Sequence, residues 1–111
     1  MAVKEAAGPI IVGDDPAGWN QLVQLLLQVQ DEQHMNELLR LLLTFNERES
    51  LANRYRIVQE LLCSHKPQRQ IVKELRVSIA KVTAGSNGLK HISGSLKQLL
   101  QQQMTTATAK L

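Results

Sequence analysis

The chain has 111 residues, enough for one hydrophobic core and too few for two independent ones. Trp19, Phe45 and Tyr55 are its only aromatics, leucine dominates the apolar set, and β-branched residues rarely alternate with polar ones; an all-α fold is expected and a sheet is excluded. The net charge of +3 is unevenly spread, because residues 66–97 hold Lys66, Arg69, Lys73, Arg76, Lys81, Lys90 and Lys97 against Glu74 alone, a pattern that fits a nucleic-acid partner better than a merely solvated face.

Residues 1–15 carry Gly8, Pro9 and Gly13 without periodic pattern and read as a flexible arm. Asp15 followed by Pro16 is a helix start, with the carboxylate as cap and proline in the first turn. The helix that follows presents Leu22, Leu25, Leu26 and Val29, widened by Val23 and Leu27 beyond the stripe a small monomer usually shows. Residues 31–34 read as a polar break. Leu38, Leu39, Leu41, Leu42 and Leu43 then form a second segment that is apolar nearly all round. Two such helices leave more apolar surface than one subunit can cover, which points to a dimer whose subunits share a core; a tight monomer with a thick central layer is the alternative.

Thr44-Phe45-Asn46-Glu47 has the form of a capping box opening a third helix, whose stripe is read as Leu51, Tyr55, Val58, Leu61 and Leu62. Ser64-His65-Lys66-Pro67 ends it. Residues 68–82 then read as two short amphipathic helices around a tight turn, held together by Ile71, Leu75, Val77, Ile79 and Val82, with Ser78 capping the second. This is the plan of a helix-turn-helix over about residues 67–90, in which the second helix enters a major groove. Along it Ile79, Val82, Ser86 and Leu89 are assigned to the inward face. Gly85 and Gly88 weaken the helix and mark a close approach of backbone, ligand or DNA. Leu96, Leu99 and Leu100 make a last short helix, and residues 104–111 are expected to be a flexible tail.

No apolar run nears the roughly 20 residues that span a bilayer, and no signal peptide is visible, so no membrane partner is expected. Cys63 has no second cysteine to pair with and fits the reducing cytoplasm. His34, His65 and His91 are dispersed, no nucleophile stands with a base, and Gly85-Ser86-Asn87-Gly88 follows no strand. Neither a metal site nor an enzyme is expected.

Thr44, Asn46-Glu47-Arg48-Glu49, Leu51, Arg54, Arg56-Ile57-Val58, Glu60-Leu61-Leu62, Gln68-Arg69, Glu74-Leu75, Ile79-Ala80, Gly85-Ser86-Asn87 and Leu89-Lys90 together resemble the trp operon repressor family over about residues 16–103. The resemblance implies an intertwined homodimer of six helices per subunit. Its two helix-turn-helix heads would address a two-fold symmetric operator on double-stranded DNA, with no cofactor beyond L-tryptophan as corepressor. The DNA contacts it implies fall on Gln68, Arg69, Ile79, Ala80, Thr83 and Lys90, with Lys73 beside them. Lys81 stands where the family commonly has threonine, adding phosphate attraction or changing base preference. Arg76 replaces the glycine usual at the turn, where a left-handed backbone costs a non-glycine residue about 1–2 kcal/mol.

For the corepressor pocket the resemblance carries over Leu41, Leu43, Thr44, Arg54 and Gly85. Ala84 and Gly88 depart, standing where the family has a second arginine and a serine. The missing guanidinium removes a cation–π contact of about 0.5–2 kcal/mol and a charge-assisted hydrogen bond of about 1.5–3 kcal/mol. Three readings stay open: a repressor that still answers tryptophan, one that answers another effector or none, and a helical dimerisation protein without regulated DNA binding.

Overall fold

The structure, a computed structural model, describes residues 15–109, so the arm expected over residues 1–15 lies outside the described part except for Asp15. Six helices follow one another, and no strand occurs among the described residues: α1 (Pro16–Gln28), α2 (Glu32–Leu42), α3 (Phe45–Cys63), α4 (Gln68–Leu75), α5 (Ile79–Leu89) and α6 (Gly94–Ala109). The chain divides into two compact units, Met1–Thr44 and Phe45–Leu111.

In the first unit both helices begin on aspartate caps. The Gly18 N–H donates to Asp15 Oδ1 at 2.8 Å, with Pro16 in the first turn where its missing N–H costs nothing. A Cβ at position 18 would meet the Asp15 carboxylate, so glycine there keeps the cap closed. The His34 N–H donates to Asp31 Oδ1 at 2.8 Å, and the His34 ring meets Asp31 Oδ2 at 2.6 Å. The break between helices falls at residues 29–31, and the rest of the segment expected as a polar break is the first turn of α2, where Asp31 satisfies one of the orphan N–H groups of the helix start. Neither α1 nor α2 contains a buried residue; Leu41 is 79% exposed.

The second unit has its core where α3, α4 and α5 meet. Ile57, Ile71 and Val82, one from each helix, are fully buried, with Leu61, Val72, Leu75 and Val77 packed around them. Burying side chains of this size stabilises by about 1.5–3 kcal/mol each, which orients the short helices α4 and α5 against the long α3. Gly85 lets α5 approach closely: a Cβ there would lie 3.0 Å from Ile57 Cγ2 and 3.4 Å from Leu61 Cδ1.

Several expectations are corrected. Ile79, expected to help hold the helix pair, is 51% exposed at the first position of α5, and the buried contact of that helix falls one turn later, on Val82. Leu51 and Tyr55 of the expected α3 stripe are also exposed, while Ile57 and the polar Gln59 of the same helix are buried. The loose tail expected from residue 104 is helical through Ala109, because Met104 repeats the Leu96–Leu100 spacing one turn further on and is buried. Its carbonyl accepts from Gln59 Nε2 at 3.3 Å, and Thr105 Oγ1 donates to Cys63 Sγ at 3.4 Å, tying α6 to α3.

Candidate nucleic-acid interface and adjoining cleft

The turn between α4 and α5 spans Arg76, Val77 and Ser78. Arg76 has φ 57° and ψ 47°, the only non-glycine residue with positive φ among the described residues. The turn keeps its left-handed residue despite the side chain, because the surrounding bonds fix it. The Arg76 N–H donates to the Val72 carbonyl and the Val77 N–H reaches the same oxygen at 3.3 Å, closing the end of α4. Val72 and Val77 both pack on the core, so shifting the turn would pull apolar side chains out of it. Ser78 caps α5, accepting from the Lys81 N–H at 3.2 Å.

This geometry leaves most cations of the pair outside its core. Arg69, Lys73, Ile79, Ala80, Lys81, Thr83 and Lys90 are exposed and Gln68 is half-buried. Gln68 and Arg69 sit in the first turn of α4, while Ile79, Ala80 and Lys81 form the first turn of α5. In a helix-turn-helix these are the turns that meet the DNA backbone and the base edges. Glu74, the one acid of the basic window, is engaged: Lys66 Nζ lies 2.7 Å from its Oε1 and Gln70 Nε2 donates to its Oε2 at 2.8 Å. Lys66 also pairs with Glu60 of α3 at 3.1 Å, so one ammonium joins α3 to α4. Hydrogen bonds from Lys66, then from Gln70, hold the Glu74 carboxyl below its ordinary value. The same bond to Glu74, with the one to Glu60, raises Lys66.

A cleft of about 610 Å³ opens between α3 and α5. Arg54, Ala84, Gly85 and Gly88, assigned to a pocket in the sequence, all line it, together with Ile57, Val58, Leu89 and Leu100. Lys81 lines it as well, a placement the sequence reading missed because it assigned Lys81 to the DNA side alone. Spacing could have found it: Lys81, Ala84 and Gly88 fall at i, i+3 and i+7, on one face of α5. Leu41, Leu43 and Thr44 belong to the first unit, at the end of α2 and just beyond it, and the lining of the cleft comes from the second. Among the described residues no helix is long and apolar enough to cross a membrane, and no three His, Cys, Asp or Glu side chains gather as metal ligands.

These elements define an all-α helix-turn-helix protein with basic side chains exposed on the helix pair and a cleft between its second helix and α3. Residues 17–104 match the Trp repressor protein family. The chain is 37% identical over 90 residues to a Trp operon repressor homolog of Chlamydia trachomatis serovar D, covering 81% of this chain and 96% of that protein. It is 45% identical over 82 residues to one from Photobacterium profundum, covering 74% and 80% of the two chains. With one from Vibrio campbellii it shares 46% over 88 residues, covering 76% and 88%. The chain belongs to the Trp repressor family, whose members are DNA-binding transcriptional regulators and not enzymes.

Proposed function

We propose that the chain is a cytoplasmic, homodimeric repressor that binds a two-fold symmetric operator through the α4–α5 head of each subunit. The observation that carries this reading is the exposure of that head's cations, Arg69 and Lys73 on α4 and Lys81 and Lys90 at the two ends of α5. Lys66 engages Glu74, the one acid between residues 66 and 97, which lessens its repulsion of phosphate. Arg69 and Gln68 fix the head on the backbone and reach the groove edge; Ile79, Ala80 and Thr83 present small and apolar contacts to bases, and Lys90 adds a phosphate contact.

The dimer rests on α1 and α2, which hold Leu25, Leu27, Leu41 and Leu42 in the open, and on the exposed Phe45. So much apolar side chain on two consecutive helices fits a second copy that buries it. The cleft between α3 and α5 is the effector site of this reading, with L-tryptophan as the ligand that the relatives' names suggest. Leu41, Leu43 and Thr44 would reach it from the partner subunit. An effector other than tryptophan is the second reading, favoured by Ala84 and Gly88, which offer the cleft no polar side chain.

Gel shifts on a palindromic and a scrambled duplex, repeated across a range of salt and with and without L-tryptophan, test the proposal. Preference for the palindrome that persists as salt rises supports it. Equal binding to both duplexes, or none at low salt, would leave a helical dimerisation protein in its place.

A further inference from the structure

The charge of the cleft is one-sided. Arg54 from α3 and Lys81 from α5 are its only charged lining residues, and no aspartate or glutamate joins them. Apart from Leu89 at its far end, the wall offered by α5 is otherwise small, made of Ala80, Ala84, Gly85 and Gly88. A Cβ at Gly88 would meet nothing within 4 Å, so this wall is open backbone against which a flat body can lie. Lys81 shares its helix face with Ala84 and Gly88, and it is the one residue on that face able to hold an anion.

We propose that Lys81 is the second cationic anchor of this cleft, the residue that takes the carboxylate of L-tryptophan there. The proposal rests on the reading of the cleft as the effector site. The two cations divide the work by their chemistry. The planar Arg54 guanidinium stacks on a ring, as arginine does on aromatic faces, while the compact Lys81 ammonium takes the carboxylate as a point charge. An apolar body fills the space beside Ile57, Val58 and Leu100, and the absence of any acid in the lining excludes a purely cationic ligand. Lys81 therefore stands at once at the head of the recognition helix and on the effector cleft, so occupancy of one site acts on the side chain offered to the other.

Calorimetry on the DNA-free protein, with L-tryptophan and its carboxylate-free relative tryptamine as probes, tests this. The wild type is expected to bind L-tryptophan and to reject tryptamine. Lys81→Met should weaken L-tryptophan by roughly 10–100-fold, the loss of one charge-assisted contact, and should erase the discrimination. Lys81→Arg should retain binding within a few-fold, and Lys81→Glu should reverse the preference toward tryptamine. The backbone cap from Lys81 to Ser78 survives each change, and unchanged circular dichroism melts verify the fold. A wild type that binds L-tryptophan while Lys81→Met binds it equally well overturns the anchor and leaves the effector cleft standing. A wild type silent to L-tryptophan at millimolar concentration overturns both.

Discussion

Lys66 Nζ sits 2.7 Å from Glu74 Oε1 and 3.1 Å from Glu60 Oε1, so a single ammonium bridges the last turn of α3 to the last turn of α4. The bridge ties α4 to α3 beside their shared core and engages Glu74, the one acid between residues 66 and 97. Its contribution follows a definite pH course. The Glu74 carboxyl lies below its ordinary 4.5, so its share is present above that pH and is lost as pH falls through the lowered value. Lys66 is raised above 10.5, so its share is present below that pH and is lost as pH rises through the raised value. A double-mutant cycle of Lys66→Met and Glu74→Gln, read by urea denaturation, should give a coupling that is flat through neutral pH and vanishes in acid. A coupling that does not weaken as the pH is taken below the ordinary carboxylate range contradicts the ion pair.

Arg76 holds a left-handed backbone that glycine adopts freely. Arg76→Gly should therefore stabilise the fold by about 1–2 kcal/mol, less the entropy glycine adds to the unfolded chain. The same change should weaken DNA binding at low salt, because one of the seven cations of the window is removed. Arg76→Ala keeps the strain and loses the charge, so it should weaken DNA binding without the gain in melting temperature.

Gly85 and Gly88 lie on the same helix and differ in surroundings. Gly88→Ala meets open space and should stabilise α5 by about 0.5–1 kcal/mol. Gly85→Ala brings a methyl to 3.0 Å from Ile57 Cγ2, so its gain in helix propensity is offset by crowding. Gly85→Leu should lose cooperative unfolding altogether. Parallel thermal melts of the three variants check the order.

Met104 is the last buried side chain of the described chain, and α6 docks through it and the bond from Gln59. Met104→Ala should cost about 2–5 kcal/mol, whereas Gln103→Ala on the exposed face should stay near zero. Denaturant midpoints of the two variants separate a docked helix from a loose tail.

Local chemistry made much of this fold legible. Asp15-Pro16 and Ser78 announced helix starts because capping needs only neighbours in sequence, and the basic window was visible as charge. Apolar spacing alone was less decisive. Leu51 and Tyr55 recur with helical period yet lie outside this subunit's core, because a stripe has the same spacing whether it packs on its own chain or on another copy. Gln59 was hidden for a different reason: its partner is a carbonyl 45 residues away, and polar side chains are read as exposed until a distant acceptor is known. At the site, Arg54 and Gly85 came from the family resemblance and share a cleft in the structure. Lys81 shares its helix face with Ala84 and Gly88 by spacing alone, but that this face lines a cleft needed α3 in place to be seen.

The central claim is that the α4–α5 head reads operator DNA through Arg69 while other surfaces hold the dimer together. Arg69→Glu tests it most directly, with operator affinity and sedimentation measured on the same preparation. The account predicts that binding to the palindromic duplex is lost, through reversal of an exposed charge at the first turn of α4, while the sedimentation coefficient and melting temperature stay those of the wild type. Operator affinity that survives the reversal contradicts it.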